Sequence, residues 1–139
     1  MKSVFIDTNV IIDLLLDRKP FSNDSAMLFT LAKNKKIELF ICAISVNNVH
    51  YILKKILGDV EAREKILTLL NYLAVISVDE RVLKSALISN IKDFEDAIQI
   101  YCADDISRIS FIITRNIKDF KNSTKKVISP SDFLIEEGI

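Results

Sequence analysis

Glycine and proline are scarce, with two of each in 139 residues. A chain so poor in turn formers is not built on hairpins and tight β-turns, and with half its residues hydrophobic it is not disordered. Two cysteines and one histidine make no zinc pattern. Cys42 and Cys102 both sit in apolar surroundings, Phe40-Ile41-Cys42-Ala43 and Ile100-Tyr101-Cys102-Ala103. They read as buried free thiols rather than a disulfide. Net charge is also lacking, because Lys and Arg balance Asp and Glu at 19 each. That removes a whole-protein electrostatic argument for nucleic acid and leaves local patches open. No apolar run reaches the length of a bilayer span, and Asp7 and Asp13 break the N-terminal runs that a secretory signal would need. The expectation is a soluble, cytoplasmic protein with no membrane partner, a single domain over residues 1–139 large enough for a real core.

What the chain does have is alternation. Lys2–Ile6, Ile37–Ile41, Ala74–Val78 and Ile109–Ile113 read as short apolar strands, with Lys126–Ile128 as a fifth. Helical patterns lie between them: Val10–Leu16 continuing to Asp17-Arg18, a stripe of Ala26, Leu28, Phe29, Leu31 and Ala32, another of Val49, Ile52, Leu53 and Ile56, and a third of Ile66, Leu69, Leu70 and Leu73. Two further helices follow Asp79 and Asp93, and Ser129-Pro130 opens a terminal one. Ser22-Asn23-Asp24-Ser25 offers cap candidates before the first stripe, Ser45, Asp59, Asp79 and Asp93 are the other expected caps, and Gly58 is the expected stop. Strands alternating with helices predict an α/β protein, a parallel sheet of about five strands in a three-layer α/β/α arrangement.

The chemistry concentrates at strand ends. Val4-Phe5-Ile6 stops at Asp7, and a helix begins at once. The fourth strand runs into Thr114-Arg115-Asn116, with Asp119 close behind, and Asp93-Phe94-Glu95-Asp96 opens a helix between the two. Right-handed crossovers bring the carboxyl ends of parallel strands to one edge, where open α/β sheets bind ligands. Asp7, Asp96 and the Asn116–Asp119 turn meet there if the first and fourth strands are neighbours. Sparse carboxylates without histidine suit a hard cation, Mg²⁺ or Mn²⁺, which lowers the pKa of a bound water and offsets phosphate charge. Each acid alone has a plainer reading. Asp93 caps a helix, Asp96 sits at the capping-box position, Asp7 can cap the helix it precedes, Asp13 and Asp17 belong to a helix face or end, and Asp119 to a turn. Arg115 and Lys118 flank the edge and are candidate phosphate holders. The other basic groups read as solvated faces, and His50 is a lone helical residue with nothing to orient it.

Three segments, Phe5-Ile6-Asp7-Thr8-Asn9-Val10, Asp93-Phe94-Glu95-Asp96-Ala97 and Thr114-Arg115-Asn116-Ile117-Lys118-Asp119-Phe120, resemble the three signatures of the PIN domain in order and spacing. The likeness covers essentially the whole chain and is nearest to the bacterial, VapC-like branch with an Asp-Phe-Glu-Asp-Ala segment. It implies a sheet order of 3-2-1-4-5 and Mg²⁺- or Mn²⁺-dependent endoribonuclease activity, in which metal-activated water attacks an RNA phosphodiester. It further implies a possible toxin of a toxin–antitoxin pair, with an antitoxin protein and a homodimer as partners. By position, Asp7 and Asp96 become metal-binding acids with Asp93 as a third, and Asn116 and Asp119 complete the catalytic set. Thr8 and Asn9 orient Asp7 or a water, and Asn48, Glu95, Thr114, Arg115 and Lys118 are orienting or substrate residues. Two positions depart from the pattern. The helix after the second strand has Asn48 where the family usually has Glu, and Asn116 stands where many members have Asp. Asp93 shares a helical face with Asp96 and can restore charge, whereas Glu95 projects about 100° away.

Three other readings compete. A non-catalytic relative binding RNA or a protein partner is supported by the two amides. A haloacid-dehalogenase-type phosphotransferase needs an acid two residues after the first, and that residue is Asn9. A receiver domain needs a phosphoacceptor Asp at the end of a middle strand, and Asp79 instead opens a helix.

Overall fold

Five strands form one wholly parallel sheet in the order β3-β2-β1-β4-β5, as seen in a computed structural model that describes residues 1–139. They are β1 (Lys2–Ile6), β2 (Ile37–Cys42), β3 (Leu73–Ile76), β4 (Ile109–Ile113) and β5 (Lys126–Ile128). Seven helices cover it: α1 (Thr8–Leu15), α2 (Ser22–Lys33), α3 (Ala43–Leu57), α4 (Asp59–Leu69), α5 (Glu80–Ile88), α6 (Phe94–Asp105) and α7 (Pro130–Glu136). The expected three-layer α/β/α architecture and strand order are both found.

The layers follow from the period-2 alternation of the strands. Val4, Ile6, Leu39, Ile41 and Ile113 face one core with residues of α1, α2, α3, α4 and α7. Phe5, Phe40, Cys42 and Ile112 face the other, packed by α5 and α6. The central strands are buried on both faces, which is why they read as continuous apolar runs. No helix is long and apolar enough to cross a membrane.

Several local expectations need correction. Helix α1 begins directly at Thr8 and stops at Leu15, short of Asp17, whose φ of 50° takes the chain out of the helix. None of Ser22, Asn23, Asp24 or Ser25 caps α2, which starts at Ser22 itself. Ser45 is no cap, because α3 starts two residues earlier and draws it, fully buried, into the first turn. Gly58, at φ 86°, closes α3 and is also the residue preceding α4, a backbone geometry that favours glycine. Asp59 is therefore helical, and its carboxylate binds His50 Nε2 at 2.8 Å and Arg63 Nε at 3.1 Å. His50 does have an orienting partner. Asp79, Asp93 and Ser129 cap their helices as expected.

Asp13 departs furthest from its expected place on a helix face, since it is fully buried. Arg115, at the end of β4, grips it with Nε on Oδ2 at 2.7 Å and Nη2 on Oδ1 at 3.1 Å, and the guanidinium lies 3.9 Å from the centre of the Phe21 ring. Arg18 adds a longer contact at 3.7 Å. Arg115 is thus committed to tying β4 to α1 and is not free to hold a phosphate. Removing one partner of a buried pair leaves the other charge uncompensated. Arg115→Ala should lower the unfolding free energy in urea by about 3 kcal/mol, and the Asp13→Ala/Arg115→Ala double variant should recover part of that. A loss below about 1 kcal/mol, the usual worth of an exposed pair, would refute the anchoring role.

Candidate active site

Asp7 is the first residue past β1. The register pairs Ile6 with Ile113, so Asp7 and Thr114 are the next positions on adjacent strands. Thr114 Oγ1 donates to Asp7 Oδ2 at 2.9 Å. From the other side of the sheet, α6 delivers Gln99, whose Nε2 donates to Asp7 Oδ1 at 3.3 Å. Asp7 is only 2% exposed, and burial pushes its carboxyl above the ordinary range. The Thr114 and Gln99 bonds, with the first backbone amides of α1, pull it part of the way back. Asp7 occupies the cap position of α1 without a side-chain cap bond of full geometry, so Thr114 and Gln99 are the donors that hold its carboxylate.

A second layer of neutral groups supports this arrangement. Thr114 Oγ1 accepts the Asn116 N–H at 3.0 Å, which fixes the turn after β4. The Thr8 hydroxyl lies 2.7 Å from Ser45 Oγ and 3.4 Å from Glu95 Oε1. Gln99 Oε1 accepts from both the Thr8 N–H and Ser45 Oγ at 3.4 Å. Thr8 therefore orients Glu95 rather than Asp7, and Asn9 lines the cleft without bonding Asp7 through its amide side chain.

The resulting cleft of about 480 Å³ is lined by Asp7, Thr8, Asn9, Ile12, Asn48, Tyr51, Ile52, Asp93, Glu95, Asp96, Asn116 and Asp119. Five of these are carboxylates and none is a Lys, Arg or His. The crowding shows in their protonation. Burial, then Asp93, Asp7, Asp119 and Glu95, push the Asp96 carboxyl up to about 7. Burial chiefly, with Asp93 and Asp7 adding, raises Glu95 as well. Glu95 was expected to project away. It enters the cleft because it stands in the first turn of α6, end-on to the sheet edge, where Thr8 and Asn48 face it. Asp93 spends one oxygen on the Asp96 N–H at 2.9 Å, the capping role, so it is a weaker candidate ligand than its placement suggests.

Of the expected site residues, all but Arg115 and two others line this cleft. Thr114 lies beneath it as a buried support for Asp7, and Lys118 stands in the adjoining hollow with Lys92, Lys121, Asn90 and Asn122. Asp93, Asp96 and Asp119 are shared between the two. Sequence reasoning missed Gln99, Ser45, Tyr51 and Ile52. Gln99 alone had a legible signal, a polar residue in the otherwise apolar run Ala97-Ile98-Gln99-Ile100.

No three His, Cys, Asp or Glu side chains converge tightly enough to form a ready metal cage. The donor chemistry nevertheless fits a hard divalent cation: carboxylate, amide and hydroxyl oxygens, with no internal cation to neutralise them. The buried Nδ2 of Asn48 faces Glu95 without closing a hydrogen bond of full geometry, so the amide keeps donor capacity in the cleft.

A PIN domain profile matches residues 3–118. Solved structures share the fold at low identity. One is VapBC2 from Rickettsia felis bound to a DNA fragment from their promoter (TM-score 0.63, 18% identity, 91% of this chain and 97% of that one). Another is a toxin–antitoxin complex from Klebsiella pneumoniae (0.66, 23%, 91% and 97%). A third is DNA-bound VapBC from Salmonella typhimurium (0.65, 16%, 93% and 98%). No curated protein sequence matches the chain.

The acid cluster makes a prediction for the metal-free protein. An acid raised on folding binds protons more tightly in the native state, so stability is fully present below the unfolded pKa and falls as pH rises through the folded one. For Asp96 that window runs from the ordinary 3.8 to about 7. In chelator, the melting temperature should fall across this window, and Asp96→Asn should flatten the fall and be the more stable protein at alkaline pH. Equal slopes for the two proteins would contradict the repulsion.

Proposed function

The chain belongs to the PIN domain family, and from that premise we propose that it is a Mg²⁺- or Mn²⁺-dependent endoribonuclease acting as the toxin of a toxin–antitoxin pair. The observation that carries the reading is the cleft around Asp7, with five carboxylates and no basic side chain in its lining. Asp7 and Asp96, with Glu95 and Asp119 beside them, are the groups that would hold the cation. Bound there, it would supply a polarised water and offset the charge of the phosphate under attack.

The chain's own residues do the positioning. Thr114 and Gln99 hold both oxygens of Asp7, so its orientation is set before any substrate arrives. Asn48 keeps donor capacity inside the cleft, beside Glu95. Lys92, Lys118 and Lys121 stand in the hollow next to it and are in none of the chain's ion pairs, so their ammonium groups are available to neighbouring phosphates of a polyanion. Net neutrality of the whole chain is thus compatible with a nucleic-acid substrate, because the positive charge is local. The likeness to toxin–antitoxin complexes supports an antitoxin protein as a partner, and a second copy of this chain is the other expected one.

A second reading has specific support. Amides at Asn48 and Asn116 and the absence of a tight three-acid cage suit a relative that binds RNA or a protein without cutting.

Calorimetry with Mn²⁺ and RNA cleavage with a chelator control separate the two. The nuclease reading expects Mn²⁺ binding and metal-dependent cleavage, both lost in Asp7→Asn and Asp96→Asn. RNA binding without cleavage supports the second reading, and Mn²⁺ binding unchanged in both variants overturns the metal site. Independently, Lys92→Ala, Lys118→Ala and Lys121→Ala should each raise KM at unchanged kcat and reduce the slope of log affinity against log salt by about one. Unaltered KM in all three would remove the lysine hollow from the substrate path.

A further inference from the structure

Outside the acidic cleft, two buried thiols meet. Cys42 ends β2 at the cap position of the 15-residue helix α3, and Cys102 lies three residues beyond Gln99 in α6. Both are free and fully buried, and their sulfurs are 3.3 Å apart although 60 residues separate them in the chain. A disulfide needs a separation of about 2.05 Å, an approach of about 1.2 Å that side-chain torsions can supply. Neither sulfur lines the cleft or takes part in the site's hydrogen bonds, so the pairing is not explained by the proposed reaction. The pair is also chemically unequal. The Cys102 S–H and the backbone amides of Ile44 and Ser45 bear on the Cys42 sulfur and hold its thiol below the ordinary range, while that same contact and burial push Cys102 up. One sulfur is set to attack and the other to resolve.

We propose that Cys42 and Cys102 are a peroxide-reactive pair that closes into an intramolecular disulfide joining the start of α3 to α6. The oxidant is hydrogen peroxide, a small neutral molecule. The Cys42 thiolate attacks one peroxide oxygen, the O–O bond breaks, and the departing hydroxide takes up the proton that Cys42 released, giving water and a sulfenic acid on Cys42. The Cys102 sulfur then attacks the Cys42 sulfur, the S–O bond breaks, and hydroxide leaves with the Cys102 proton as a second water. Two thiols are oxidised by two electrons in all and one hydrogen peroxide is reduced to two waters. The cross-link joins the elements that carry Ser45 and Asn48 on one side and Asp96 and Gln99 on the other. It stands independently of the nuclease reading.

The test uses the folded full-length chain, freed of reductant, treated with hydrogen peroxide, quenched with catalase, and only then unfolded in N-ethylmaleimide. The expected product is a monomer with neither cysteine alkylated and an intact mass lower by about two hydrogens, as disulfide formation requires, with both changes reversed by dithiothreitol. In Cys102→Ser the same treatment should leave a Cys42 sulfenic acid that dimedone traps. Two cysteines still alkylatable in the treated wild-type chain, or separate sulfinic and sulfonic products, or disulfides only between chains, would each overturn the proposal, and none of these readouts depends on the variant folding.

Discussion

The burial of an ionisable group at the end of the central strand is the constraint on which the site depends. Asp7 is shut away at the one place in a parallel sheet where the backbone turns outward, and a carboxylate taken from water needs donors in return. Two of them arrive from different elements, Thr114 from the neighbouring strand β4 and Gln99 from helix α6. Both must be in register for Asp7 to be satisfied. The pairing of β1 with β4 and the packing of α6 on the sheet are therefore conditions of the site as well as of the fold. Ser45 and Thr8 continue the same network into α3 and α1, so four elements converge on one residue.

A comparison within the chain shows how the surroundings of Asp7 differ from those of Asp13. Both are buried carboxylates, six residues apart at the two ends of the same short helix region. Asp13 is met by guanidinium groups, bidentate from Arg115 and more distantly from Arg18, and its charge is spent inside the protein. Asp7 is met only by neutral donors and by other acids. Neutral hydrogen bonds orient a carboxylate without cancelling it. What remains is an uncompensated negative field opening into a cleft, which an external cation would relieve.

The fold was legible because its central strands are buried on both faces and so read as apolar runs, Val4-Phe5-Ile6, Leu39-Phe40-Ile41 and Phe111-Ile112-Ile113 above all. Asp7, Asp96, Asn116 and Asp119 were legible because the crossover rule sends them to one edge. Other features were not, for two physical reasons. Caps are decided by a single backbone angle, which is why Ser45 carries the sequence signature of a cap although the helix begins at Ala43. Long-range pairing leaves no local trace either. Nothing near Arg115 in sequence announces Asp13, nothing near His50 announces Asp59, and nothing near Cys42 announces Cys102. Gln99 was the exception, a polar side chain in an apolar helix face, which is the pattern a buried hydrogen-bond donor leaves.

The amide at Asn48 takes on a different meaning beside Glu95. As a departure from the family pattern it thins the acidic cluster by one charge. In the folded protein it is the neighbour that lowers the Glu95 pKa against the pull of burial and of Asp93 and Asp7. A carboxylate at position 48 would face Glu95 as a like charge and oppose its entry into the cleft; an amide faces it as a donor. An amide on α3 and an acid in the first turn of α6 thus share the cleft without like-charge repulsion between them. The cleft holds five carboxylates even with amides at positions 48 and 116.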